Sequence, residues 1–86
     1  MKFIFTERAW SEYLHWQESS PATVRKIHAL LRDASRTPFE GLGQPEPLKH
    51  AYAGFWSRRI SQEHRMVYRL VDDAIEIVQL RSHYQD

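Results

Sequence analysis

Cysteine is absent from this 86-residue chain. No disulfide can staple the fold, and no thiolate can ligate a metal or act as a nucleophile. The absence fits a reducing cytoplasm, which is the compartment expected. Glycine is scarce, at three residues, and Gly41-Leu42-Gly43 lacks the third glycine, the preceding strand and the following helix of a phosphate-cradling fingerprint. Long apolar runs are missing too. Nothing approaches the roughly 18 residues of a membrane span, and the charge at Glu7 leaves no hydrophobic core for a signal peptide. His50 and His64 are far apart, and no His-x-x-x-His or paired-carboxylate spacing occurs, so no metal and no cofactor is expected. No nucleophile elbow supports Ser-His-Asp chemistry.

What is present is ordinary in amount and uneven in place. Hydrophobic residues make up 42% and charged residues 27%, which suits a globular chain and excludes a disordered or collagenous one. The length suits one domain over residues 1–86, burying only about 60% of its unfolded surface. A net charge of +1 hides a basic block. Between Lys49 and Arg69, Lys49, Arg58, Arg59, Arg65 and Arg69 face a single acid, Glu63. Tyr52, Phe55, Trp56 and Tyr68 are interleaved with them. Such a block fits a surface that meets phosphates and bases. It fits equally a solvated sheet face whose arginine stems cover apolar neighbours.

The pattern predicts an α+β fold of order β-α-α-β-β-β, with two N-terminal helices packed on an antiparallel sheet and room for one more short strand. Lys2 to Thr6 reads as a strand, and Thr6 as the cap of a helix from Glu7 to about Glu18, with Trp10, Tyr13, Leu14 and Gln17 on one stripe. The aromatics Trp10, Tyr13 and Trp16 are expected in the core and on a partner surface rather than as a base-stacking platform. Ser20-Pro21 starts a second helix, a capping hydroxyl before proline at the first helical position. Its apolar face is Val24, Ile27, Leu30, Leu31 and Ala34, with Arg25, Lys26, Arg32 and Asp33 opposite. It should end near Arg36, because Thr37 precedes Pro38.

Thr37 to Leu48 holds three of the four prolines and two of the three glycines, a long loop of the kind that often carries function. Strands are then predicted at Lys49–Tyr52, Phe55–Ile60, Arg65–Val71 and Ala74–Arg81. Turns fall at Ala53-Gly54, Ser61 to His64 and Asp72-Asp73.

One constellation carries chemistry. Breaking RNA by internal attack needs a group to take the 2′-hydroxyl proton, a group to protonate the 5′-oxygen leaving group, and cations where charge grows on phosphorus. Glu46 is clamped between Pro45 and Pro47. Arg59 and Arg65 sit on strands, and His83 follows the last one, with Tyr84 after it. Each also has a plainer role: Glu46 as a loop carboxylate pairing with Lys49, the arginines as surface residues, His83 as a terminal residue.

The stretches Tyr13-Leu14-His15-Trp16-Gln17, Arg36-Thr37-Pro38-Phe39-Glu40-Gly41, Pro45-Glu46-Pro47-Leu48-Lys49-His50, Gly54-Phe55-Trp56-Ser57-Arg58-Arg59-Ile60, Glu63-His64-Arg65-Met66-Val67-Tyr68 and Arg81-Ser82-His83-Tyr84 together resemble the YoeB (Txe/YoeB) toxins, a branch of the RelE-like group. The resemblance covers nearly the whole chain. It implies a ribosome-dependent mRNA endonuclease that cuts the codon in the ribosomal A site. It implies Glu46 as general base, Arg65 as transition-state cation and His83 as general acid, with Lys49, Arg59 and Tyr84 supporting the phosphate or the base. It also implies a YefM-like antitoxin, a homodimer, and contact with operator DNA only through the toxin–antitoxin complex. Two departures are visible: Gln85 and Asp86 follow the usual terminal His-Tyr, and Ser82 stands where relatives often carry tyrosine. The alternatives are a noncatalytic toxin of the same fold that acts by binding a protein, as the gyrase-directed ParE relatives do, and a small basic RNA-binding protein.

Overall fold

The computed structural model describes residues 1–82. His83, Tyr84 and the two residues after them lie outside the described residues.

Strand β1 (Lys2–Phe5) leads into helix α1 (Glu7–Ser19) and helix α2 (Pro21–Arg36). The two caps form as the sequence predicts. Thr6 accepts the Ala9 amide at 3.2 Å, and the Ser20 hydroxyl accepts the Thr23 amide at 3.2 Å, each satisfying a donor that the first turn leaves without a partner. Helix α2 buries Ile27, Leu30, Leu31 and Ala34, the apolar face foreseen. Helix α1 is turned differently from its predicted stripe. It buries Ala9 and Trp16, while Trp10 and Leu14 are exposed. Trp10 instead joins Phe5 and Tyr13 in an aromatic group at ring separations of 5.5 to 5.8 Å. The reason is tertiary. Trp16 donates its indole N–H to the Leu80 carbonyl at 2.8 Å, and Glu12 accepts the Leu80 amide at 2.8 Å. These bonds turn the Glu12/Trp16 side of the helix to the sheet.

The sheet follows with β2 (Glu46–Pro47), a 3₁₀ turn at His50–Tyr52, β3 (Trp56–Arg59), β4 (Arg65–Val71) and β5 (Ala74–Gln79). The spatial order is β1-β5-β4-β3-β2. The α+β class holds, and the order is β-α-α-β-β-β with the one more short strand present, giving four strands after the helices. Two amendments apply. The sheet is mixed, because β1 pairs parallel to β5 while the other pairs are antiparallel. The whole chain, not a hairpin, joins β1 to β5, so no tight turn forces an antiparallel pairing. The strand predicted at Lys49–Tyr52 is a 3₁₀ turn, where His50 takes φ +57°, which no strand allows. The edge strand lies just before it, a two-residue β2 containing Pro47. A short, proline-bearing edge resists pairing with other chains.

Met66, Tyr68, Ile75 and Ile77 on the sheet meet Trp16, Ile27 and Leu30 on the helices in one core. Among the described residues, no helix is long and apolar enough to cross a membrane.

Candidate active site

Side chains alternate along a strand, so adjacent Arg58 and Arg59 must face opposite sides of the sheet. Arg58 takes the helix side and is fully buried. Its Nε donates to the Tyr68 hydroxyl at 2.9 Å, one terminal nitrogen to Asp33 Oδ2 at 2.7 Å and the Leu42 carbonyl at 3.1 Å, the other to the Thr37 and Glu40 carbonyls at 2.6 and 2.9 Å. A guanidinium has five N–H donors, and five bonds use them. Tyr68 in turn donates to the Pro38 carbonyl at 2.6 Å. This knot orders the long loop after α2. It also corrects the reading of Arg58 and Tyr68 as part of a basic, aromatic surface, and of Asp33 as part of a solvated helix face. Trp56 is half-buried and packs on Phe39, 4.8 Å between rings.

The electrostatics follow from the bonds. The Leu42 amide and then the Arg58 guanidinium hold the Asp33 carboxyl below the usual aspartate range. Burial raises the Tyr68 phenol above its ordinary value. Gly41 closes against the same carboxylate at φ +111°, where an added Cβ would lie 2.1 Å from Asp33 Oδ2. Only glycine fits there.

Beyond the knot, the loop is fastened to β3. Arg59 donates its amide to the Gly43 carbonyl at 2.7 Å, and Leu48 donates to Phe55 at 2.9 Å. Between these ties Glu46 pairs with Ser57, and on the next strand pair Arg59 stands directly opposite Arg65. Opposite residues share a face, and so do residues two apart. Glu46, Ser57, Arg59 and Arg65 therefore lie on the side of the sheet away from Arg58. They line one cavity of about 280 Å³ with Gln44, Pro45 and Pro47. Arg65 is braced from below: one terminal nitrogen donates to the Ser61, Gln62 and His64 carbonyls at 2.8, 3.1 and 3.2 Å. Two like charges directly opposite are destabilising, a cost that an anion in the cavity would offset.

Of the six site residues predicted, the structure brings three together: Glu46, Arg59 and Arg65. Lys49 is exposed at the start of the 3₁₀ turn, outside the cavity lining. His83 and Tyr84 lie outside the described residues. The residue before them is held beside Arg65, whose amide donates to the Ser82 carbonyl at 3.1 Å. Sequence reasoning missed Ser57, buried in the cavity wall, and Gln44 at its rim. It also missed Arg58 as the organiser of the loop that carries Glu46. The Arg58-Arg59 pair held the signal, since two adjacent strand arginines cannot both face the same side. Among the described residues, no three His, Asp or Glu side chains group as a metal site.

Fold and cleft together define a small α+β domain with one carboxylate and two arginines lining the same cavity. Residues 5–84 match the family model described as the YoeB-like toxin of bacterial type II toxin-antitoxin systems. Toxin YoeB of Escherichia coli (strain K12) is 55% identical over 84 residues, covering 98% of this chain and 100% of that one. Among solved structures, a YoeB/ParE toxin from Agrobacterium tumefaciens superposes with a TM-score of 0.95 at 50% identity, over 98% of this chain and 100% of the other. The Staphylococcus aureus YoeB, 38% identical and covering 98% of each chain, is similar both in a heterotetrameric YoeB–YefM complex (TM-score 0.91) and as a YoeB dimer (0.92). The chain belongs to the YoeB-like toxin family. It is the toxin of a type II toxin–antitoxin system.

Proposed function

We propose that this toxin is a ribosome-dependent endoribonuclease that cuts mRNA in the A site by metal-independent general acid–base transesterification and so stops translation. The observation that carries the proposal is the convergence of Glu46, Arg59 and Arg65 on one cavity. In this reading the Glu46 carboxylate takes the proton of a 2′-hydroxyl, and the freed oxygen attacks the adjacent phosphorus. Charge accumulates on the non-bridging oxygens, where Arg65 stabilises it. The P–O5′ bond breaks, and His83 gives its proton to the departing oxygen. The products are a 2′,3′-cyclic phosphate and a free 5′-hydroxyl. Arg59, Lys49 and Tyr84 hold the flanking phosphate and base. The bracing of Arg65 by its turn carbonyls supports its role, because a pre-set cation needs no reorganisation during the reaction.

The partners follow from the same reading. The working substrate is mRNA on the ribosome. A YefM-like antitoxin neutralises the toxin by covering the basic face or displacing its C-terminus, and operator DNA is met only through that complex. The toxin acts in the cytoplasm, as a homodimer.

Primer extension on translating ribosomes tests the nuclease directly. Wild-type protein is expected to yield cuts within the A-site codon. Glu46→Ala and His83→Gln are expected to abolish them while ribosome binding persists. Blocked translation with intact mRNA would leave a noncatalytic RNA binder, and intact mRNA with DNA damage would leave a protein-directed toxin. Because cationic side chains meet phosphates, ribosome association should weaken steeply as salt rises. A flat salt response would remove Arg59 and Lys49 from the RNA.

A further inference from the structure

Ser82 carries a side chain yet takes φ +69°, a left-handed conformation that persists only where the surroundings over-determine it. Here they do. Its amide donates to His64 Nδ1 at 2.8 Å. Its carbonyl accepts the Arg65 amide at 3.1 Å and the Gln79 side-chain amide at 3.0 Å, and Gln79 is itself buried. The His64 ring is fixed in turn. It packs edge-on against Trp16, 4.8 Å between ring centres, and Trp16 is tied to the Leu80 carbonyl. The His64 backbone closes the β3–β4 turn, donating to the Ser61 hydroxyl at 3.2 Å and accepting the Ile60 amide at 2.9 Å. Its carbonyl also accepts from the Arg65 guanidinium.

We infer that His64 is a positioning residue: its Nδ1 pins Ser82, the backbone from which the chain runs on to His83, while its carbonyl braces Arg65. One residue thereby ties the general acid's point of attachment to the transition-state cation. The inference rests on the nuclease reading for its consequence, but the anchor itself does not. An imidazole that accepts at Nδ1 carries its proton on Nε2. The ring therefore acts through an acceptor atom, and packing against Trp16 is a separate contribution.

Two substitutions separate these parts. His64→Phe keeps a ring against Trp16 and removes the acceptor. His64→Asn removes the ring and keeps an oxygen near the place of Nδ1. In His64→Phe, amide exchange at Ser82 should accelerate at least tenfold, and kcat for mRNA cleavage on the ribosome should fall by about 100-fold, the usual result of misplacing a reacting group by about 1 Å. Ribosome affinity should be unchanged. His64→Asn should recover most of both losses. Equal Ser82 exchange in wild type and His64→Phe, or undiminished cleavage by His64→Phe, would overturn the inference. Nitrogen NMR of the wild-type imidazole gives a check that needs no variant: a proton on Nε2 is required, and one on Nδ1 at neutral pH would refute the anchor. A wild-type protein that cuts no mRNA would instead remove the nuclease reading, while Ser82 exchange would still report on the anchor.

Discussion

Arg58 enters the helix side of the sheet, where an aspartate, a tyrosine and three loop carbonyls surround it and water is excluded. Arg59, the next residue, emerges exposed on the other side, facing Arg65 across the strand pair. Residue type and backbone are the same. What differs is the side of the sheet on which the guanidinium lies: Arg58 is buried and Arg59 is exposed. On the closed side every donor has a partner, so the charge is neutralised and the loop is rigid. On the open side Arg59 and Arg65 stand opposite each other and line a cavity with Glu46, and Arg65 is held by the turn carbonyls at its own strand end. The first arrangement orders the loop that carries Glu46, and the second is the face to which the proposed nuclease reading assigns the RNA.

The comparison can be broken most forcefully at Arg58. Arg58→Ala removes the guanidinium donor from the Asp33 charge and from four other acceptors. Removing one partner of a buried ion pair typically costs about 3–5 kcal/mol, and urea unfolding should show a loss of that size. Arg58→Lys should not restore it, since an ammonium has three donors and no planar fork. The next effect is at Gly41→Ala, which meets both the left-handed backbone and the Asp33 carboxylate. A loss of about 1–3 kcal/mol is expected. Gly54→Ala, at φ +95° with nothing within 4 Å of the added carbon, should lose less.

A pH measurement sharpens the same side. The Asp33 carboxyl has a lowered pKa in the folded chain. The stability it contributes is therefore complete above the ordinary aspartate value of about 3.9. It is lost as pH falls below that value through the folded pKa. Asp33→Asn should be less stable at neutral pH and should flatten the acid limb of the stability curve. An unchanged acid limb would detach Asp33 from the knot. The smallest stability effect belongs to Arg59→Ala, expected within about 0.5 kcal/mol of wild type. Its consequence should appear instead in weaker ribosome binding and a shallower salt dependence.

Much of this architecture was legible in local signals. Thr6 and Ser20-Pro21 mark both helix starts because capping is a short-range event. The turns around Arg65–Val71 delimit β4 as the structure has it. The side chains of α1 that face the sheet were not legible, because Leu80, 64 residues from Trp16, settles them. Nor was the knot. The partners of Arg58 lie 10 to 25 residues away, and alternation alone does not say which arginine of the pair turns inward. For the cleft, the proline-flanked Glu46 and the two strand arginines were visible as candidates. Their shared face depended on the β3–β4 register, and a one-residue slip would have separated them. Ser57 and the anchoring of Ser82 by His64 left no pattern in the sequence, because both depend on contacts across the sheet.

The central claim is that the open side of the sheet breaks RNA by internal attack of its own 2′-oxygen. The most direct measurement is the chemistry of the ends left on a defined mRNA after wild-type protein acts on programmed ribosomes. A 2′,3′-cyclic phosphate on the upstream fragment and a 5′-hydroxyl on the downstream one, both lost with Glu46→Ala, are the predicted result. A 3′-hydroxyl with a 5′-phosphate, or an uncut message, would contradict it.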